Sequence, residues 1–193
     1  MATKPRATIE DLYRVPDSGK AEIVNGKLVL MAPTGFLPSR ASLNIAANLR
    51  AYERQTGTGY AFADNAGFRV NLPNRESFSP DAAFYTGRRT GMRFLEGAPI
   101  FAVEIRSEND YGPAAERALA EKRADYFAAG TLVVWDVDLL NKDTLKVYRA
   151  SAPDQPTIYR RGEIAEALVG QVRITPRTPG TAGWPRSPAR CRA

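Results

Sequence analysis

A chain of 193 residues without a single histidine cannot build a Ser-His-Asp or Cys-His site, a histidine general base, or the usual zinc and non-haem iron ligand sets. Its one cysteine, Cys191, excludes an internal disulfide and a cysteine zinc site, so any metal must be held by oxygen, which favours magnesium, manganese or calcium. The net charge of +6 is uneven: the last twenty residues carry four arginines and no acid, so the remainder is nearly balanced and a basic groove would have to come from local clustering.

The length suits one domain with a sizeable core. No stretch approaches the ~20 apolar residues of a membrane span. "MATKPRATIEDLYRV" lacks the apolar segment of a secretory signal, so the expected location is the cytoplasm, with no membrane contact. Thr8 and Asp11 have the spacing of a capping box and predict a short helix. In "AEIVNGKLVLMAP", Asn25-Gly26 between two apolar segments predicts a hairpin with a type I′ turn, and places Glu22 on its first strand. "PSRASLNIAANLRAYERQTG" predicts a helix with Ile45, Leu49 and Tyr52 on one stripe and Gly57 at its end.

"YAFADNAGFRVNLP" and "SPDAAFYTG" read as strands, separated by an exposed loop at "NRES". Pro80 puts Asp81 at the start of its strand. "GAPIFAVEIRS" is a buried strand. "PAAERALAEKRADYFAAG" is a second helix, opened by Pro113 and stopped near Gly130. "TLVVWDVD" and "TLKVYRA" pair as a hairpin. The order βαβββαββ predicts an α/β fold, a mixed sheet flanked by helices, as a single domain over residues 1–173. Residues 174–193, rich in Pro, Gly and Arg, read as a flexible tail.

Three polar residues violate the pattern around them. Glu104 interrupts the apolar run of Ile100, Phe101, Ala102, Val103 and Ile105, where an unpaired carboxylate costs several kcal/mol or takes up a proton. Lys122 lies in the middle of the second helix's apolar stripe, among Ala115, Ala118, Leu119, Tyr126 and Ala129, whereas a lysine normally snorkels from the edge. That helix follows the Glu104 strand directly, and consecutive elements usually pack together. Asp81 begins a strand expected beside Glu104. Two carboxylates at neighbouring strand ends make an oxygen site for a hard divalent cation, and a lysine beside them can orient water and offset phosphate charge. Taken singly, Asp81 is an ordinary turn aspartate, Glu22 an exposed strand residue, Tyr126 and Trp135 core, and "EKR" at Glu121–Arg123 a solvated run.

Asp81, Glu104 and the lysine resemble the PD-(D/E)XK nuclease motif, with Pro80-Asp81 literally present. "AEIVNGKLVLMAPTG", "SPDAAFY", "FAVEIRSEND" and "LAEKRADYFAAGTLVVWDVD" resemble, in that order, the Uma-two-type family of "putative restriction endonucleases", over roughly Thr8 to Arg149. The resemblance implies a restriction-endonuclease-like core, divalent-metal binding and phosphodiester hydrolysis, and it carries Glu22 across as a further acidic residue of the site. The superfamily's usual lysine position, two residues after the acid, is Arg106 here, which stays protonated and cannot act as a base. The family commonly moves the lysine to the following helix, where Lys122 fits. Many members carry a histidine after the "PTG" segment, where this chain has Pro38-Ser39-Arg40.

The expectation is therefore a Mg2+- or Mn2+-dependent DNA endonuclease. Asp81 and Glu104 would hold the metal, with Glu22 as a ligand or a partner of metal-held water. Lys122 would position the attacking water, Arg106 and Arg123 would contact phosphates, and a homodimer would serve two strands. The alternatives are a catalytically inactive DNA-binding or dimerisation module that keeps the fold, and a hydrolase of some other phosphodiester.

Overall fold

The capping box forms as its spacing predicts. The Asp11 carboxylate accepts hydrogen bonds from the backbone N–H and the hydroxyl of Thr8, opening helix α1 (Ile9–Tyr13) in a computed structural model that describes residues 6–15, 19–160, 162–165, 167–169 and 172–174. Strands β1 (Lys20–Val24) and β2 (Lys27–Met31) make the hairpin, and Asn25 and Gly26 both take positive φ, 51° and 68°, as a type I′ turn requires. Helix α2 (Phe36–Thr56) starts two residues before Pro38, because a proline in the first turn loses no intrahelical bond. It ends at Gly57, whose φ of 66° is the left-handed cap.

Six strands separate α2 from the next helix: β3 (Tyr60–Ala63), β4 (Phe68–Arg69), β5 (Ser77–Phe78), β6 (Ala82–Tyr85), β7 (Leu95–Glu96) and β8 (Phe101–Ile105). Helix α3 (Pro113–Ala128) follows, then β9 (Val133–Asp138), β10 (Thr144–Arg149), β11 (Ala152–Arg160), β12 (Ala167–Val169) and β13 (Val172–Ile174). The main sheet runs β11-β10-β9-β8-β6-β3 and is antiparallel except for the parallel β8–β9 pair, whose crossover is α3. The fold is mixed α/β, as expected. Strand β11 falls outside the predicted elements. Pro153 and Pro156 suggest a loop, but they sit at the sheet edge beside a register shift between the Val147↔Thr157 and Arg149↔Ala152 pairs, where no ladder donor is needed. The tail expected over residues 174–193 lies, apart from Ile174, outside the described residues.

The alternation of side chains divides the sheet into two unlike faces. One carries Phe84, Phe101, Val103, Ile105, Trp135 and Val137, and packs on Ile45, Leu49 and Tyr52 of α2, the stripe read from the sequence. The other carries Ala83, Tyr85, Ala102 and Val134 with Tyr126 of α3, and the same parity assigns Asp81, Glu104 and Asp136 to this face. The first face is a hydrophobic core. The second is where the charges lie. Among the described residues, no helix is long and apolar enough to cross a membrane.

Candidate active site

Strand β8 carries Glu104 on the face under α3, and α3 answers with two side chains four residues apart. Lys122 Nζ donates to Glu104 Oε2 at 2.8 Å and the Tyr126 hydroxyl to Oε1 at 2.6 Å. The lysine in the apolar stripe and the glutamate in the core strand are therefore one another's partners. Of the residues placed around Lys122 in that stripe, Ala118 is exposed and Leu119 half-buried, so the inward face is rotated slightly from the expected one.

Asp81 precedes β6 directly, and the Ala82↔Val103 register places it opposite Glu104. Its Oδ2 accepts the Ile105 N–H at 2.7 Å, which fixes the carboxylate over the end of β8. Its Oδ1 accepts Lys20 Nζ at 2.6 Å, and the same ammonium reaches Asp64 Oδ1 at 2.7 Å. Glu22 enters from β1, and its side chain is only 3% exposed. Oε1 takes the Ser79 N–H at 2.8 Å and lies 2.9 Å from Lys122 Nζ, while Oε2 takes Arg75 at 2.6 Å. Both Glu22 oxygens are thus engaged in holding cations and backbone.

Arg75 lies in the "NRES" stretch expected to be an exposed loop, yet it is 6% exposed. The hairpin docks on this segment through Asn25 N–H to Asn74 C=O (2.7 Å) and Glu76 N–H to Ile23 C=O (3.0 Å). Docking buries the arginine between Glu22 and Asp125, whose Oδ2 it meets at 2.7 Å. The sequence reading missed Lys20, Asp64, Arg75 and Asp125. Lys20 had a signal, since it stands two residues before Glu22 on the same strand face. Tyr126 is core, as read, but its hydroxyl serves Glu104.

The electrostatics follow from this packing. Burial opposes the charge on Lys122, but the Glu104 and Glu22 carboxylates outweigh it and hold the lysine above its ordinary range, as an ammonium at neutral pH. Burial also disfavours the Lys20 charge, and Asp81 with Glu104 more than compensates. Glu104 is pushed up, first by burial and then by Asp81 and Glu22, against the pull of Lys122 and Lys20. Tyr126 is raised well above its usual range by burial and by Glu104.

Among the described residues, no three carboxylate or thiol side chains gather closely enough to hold an ion unaided, so a ligand trio of Glu22, Asp81 and Glu104 does not assemble. Asp81 and Glu104 face each other across two strands, and each of their four oxygens accepts a single hydrogen bond, which leaves a lone pair on each. Around them, five carboxylates (Glu22, Asp64, Asp81, Glu104, Asp125) meet three cations (Lys20, Arg75, Lys122), an excess of two negative charges. All-oxygen donors and a deficit of two positive charges suit magnesium or manganese at the Asp81–Glu104 pair.

Neither of the two arginines expected to contact phosphate is among the three cations of this cluster. Arg106 is 5% exposed, forms two 2.7 Å hydrogen bonds to Asp136, and is also paired with Glu116. Arg123 lies with its guanidinium carbon 3.7 Å from the centre of the Tyr148 ring.

The model of a family described as "putative restriction endonuclease" matches residues 8–179. The chain belongs to this Uma2 family. A crystal structure of "a putative nuclease belonging to DUF820" from Anabaena variabilis superposes with a TM-score of 0.65 at 16% identity, covering 83% of this chain and 89% of that one. At that identity the likeness establishes a shared fold. No curated protein matches the chain. The family matched is the one that the ordered sequence blocks resemble, and its range extends past Arg149 to take in β11 to β13.

Proposed function

We propose that the protein is a magnesium- or manganese-dependent DNA endonuclease with a PD-(D/E)XK-type site whose lysine is borne on the following helix. The observation that carries this reading is Lys122, held between Glu104 and Glu22 beside Asp81, on a fold shared with the "putative nuclease" of Anabaena variabilis. Asp81 and Glu104 would hold the metal, which when bound supplies Lewis-acid polarisation of the phosphodiester. Glu22 is a positioning residue: with Arg75 behind it, it fixes Lys122. The Lys122 ammonium has three N–H donors, of which the two carboxylates take two. The third is available to orient the attacking water and to stabilise negative charge developing on the phosphoryl oxygens. Held by two carboxylates as an ammonium, Lys122 would act by charge and orientation.

DNA is the proposed substrate because the family's description names restriction endonucleases. A homodimer would bring two such sites to two strands. The exposed Leu30 of β2 and Leu37 of α2 offer apolar surface for it. Plasmid DNA with and without magnesium tests the function: cleavage should require the ion, and undiminished cleavage in excess chelator would overturn the mechanism. DNA binding without cleavage under any divalent ion would favour the inactive DNA-binding module instead.

A further inference from the structure

The register of the main sheet lines up carboxylates from four neighbouring strands. Ala63 pairs with Ala82 and Ala82 with Val103, so one step further along these antiparallel ladders Asp64 stands opposite Asp81, and Asp81 opposite Glu104. Glu104 is itself paired with Asp136 across the parallel ladder. The first gap of this row, between Asp64 and Asp81, is bridged by Lys20, whose ammonium lies 2.7 Å from one carboxylate and 2.6 Å from the other.

The oxygen that Lys20 holds on Asp81 is Oδ1. The other oxygen, Oδ2, is committed to the Ile105 backbone N–H. A cation entering at Asp81 therefore meets the ammonium at the oxygen without a backbone donor. Lys20 reaches this place from the first residue of β1, with its side chain 15% exposed, so it stands at the rim and has an unbranched stem on which to leave. Lys122 is exposed to almost the same degree, 14%, but it extends from within helix α3 and not from the first residue of a hairpin strand.

Resting on the metal-dependent reading above, we propose that Lys20 is a built-in counter-ion of this site that competes with the divalent cation for Asp81 and is released when that cation binds. An ammonium and a metal ion cannot share one carboxylate oxygen at close range without like-charge repulsion, so each raises the concentration at which the other is held. The competition sets the ion concentration at which the site fills, and it keeps Asp64 and Asp81 compensated meanwhile.

Calorimetric titration with Mn2+ alone, in the absence of DNA, tests this. The Lys20→Met protein should bind Mn2+ about tenfold more tightly than the wild type, the effect expected for removing one screened neighbouring charge. Lys20→Arg, which keeps a cation between the aspartates, should bind like the wild type. Asp81→Asn should lose this binding, which ties the signal to the site. In the wild-type protein, acetylation of Lys20 by an amine-reactive reagent, read by mass spectrometry, should rise severalfold when Mn2+ is added. That measurement decides the matter even if Lys20→Met fails to fold. Equal or weaker Mn2+ binding by folded Lys20→Met, or Lys20 acetylation unmoved by bound Mn2+, would overturn the competition while leaving the metal reading intact. If the wild type and Lys20→Met both fail to bind Mn2+, the metal-dependent reading fails and the competition with it.

Discussion

Two ion clusters lie on the same α3-covered face of one sheet, built from similar acids, one around Arg106 and one around two lysines backed by Arg75. In one, Arg106 meets Asp136 with two 2.7 Å hydrogen bonds from its planar fork and reaches Glu116 with its remaining edge. In the other, Lys20 and Lys122 each bridge two carboxylates from different elements with a single ammonium. A guanidinium matched to a carboxylate fork is fixed in direction and cannot be replaced by a spherical ion, whereas an ammonium is a point charge with a donor to spare. Burial follows the same division, since the Arg106 side chain is 3% exposed and those of Lys20 and Lys122 about five times more. If the proposed function holds, arginine on this face closes structure and lysine keeps a site open to chemistry. Loss of the lysine should cost activity, and loss of the arginine should cost stability.

The largest effect is expected at Lys122. Lys122→Met keeps the apolar stem and removes the charge, so plasmid cleavage should fall by roughly two to three orders of magnitude, the cost of losing one preorganised donor. The fold should survive. Glu22 keeps Arg75, and Glu104 keeps the Tyr126 hydroxyl and already sits above the usual carboxylate range, so it can take up a proton in place of its lost partner. Normal cleavage by a folded Lys122→Met protein would erase the contrast, because the lysine would then be as structural as the arginine.

Arg106→Met tests the other half. It leaves Asp136, 4% exposed, without its counter-ion, and stranding a buried charge in this way costs about 3–5 kcal/mol. For a chain of this size that is a fall in melting temperature of roughly 6–20 °C. Cleavage per folded molecule should be retained below the transition. A variant that melts like the wild type but no longer binds DNA would support the phosphate role expected for Arg106.

The clusters also differ in how legible they were. Glu104, Asp81 and Lys122 stood out because each contradicts its surroundings: an acid within a core strand, an acid fixed by Pro80 to a strand start, a lysine inside an apolar stripe. Their convergence needed only neighbouring elements to pack. Arg75 and Asp125 contradict nothing, since charged residues in a polar loop or on a helix are ordinarily solvated. They are buried because the β1–β2 hairpin docks on a segment some fifty residues away, a tertiary event that local pattern does not carry. Arg106 hid its partner for a related reason. Its position two residues after Glu104 matches a motif, but Asp136, thirty residues on, captures it. Strand β11 was hidden by prolines that an edge tolerates.

A smaller effect is expected beside the arginine cluster, at Asp138. Burial would raise this carboxyl, but the backbone N–H groups of Asn141, Leu140 and Lys142 and the Tyr111 hydroxyl outweigh it and hold it below its ordinary value of 3.8. A carboxyl lowered on folding contributes stability above its unfolded value, and that contribution is lost as pH falls through the folded value. Asp138→Asn should therefore cost about 1–2 kcal/mol at pH 7 in urea unfolding. The gap between variant and wild type should narrow as pH falls below 3.8 and close only once the folded carboxyl, whose value lies lower still, has taken up its proton. A gap that stays constant with pH would assign the loss to the shape of the turn and not to the charge.

The smallest effect sharpens the comparison most, because Arg123 is a cation of the structural type placed nearer the surface. Its guanidinium rests on the Tyr148 ring, and the residue is only half-buried. Arg123→Ala removes this cation–π contact and the packing of the stem, for an expected loss of about 0.5–1 kcal/mol in stability. If arginines on this face serve structure, DNA affinity should fall slightly or not at all, and the slope of log affinity against log salt should be unchanged. If Arg123 instead reaches a phosphate, as the sequence suggested, the variant should bind DNA more weakly at every salt concentration and the slope should shrink by about 0.9, the share of one phosphate contact. The salt slope separates the two where melting temperature cannot, since a guanidinium can leave an aromatic ring at small cost when a phosphate is offered. A reduced slope would mean that the division between arginine and lysine holds only where the arginine is buried in a carboxylate fork, as Arg106 is.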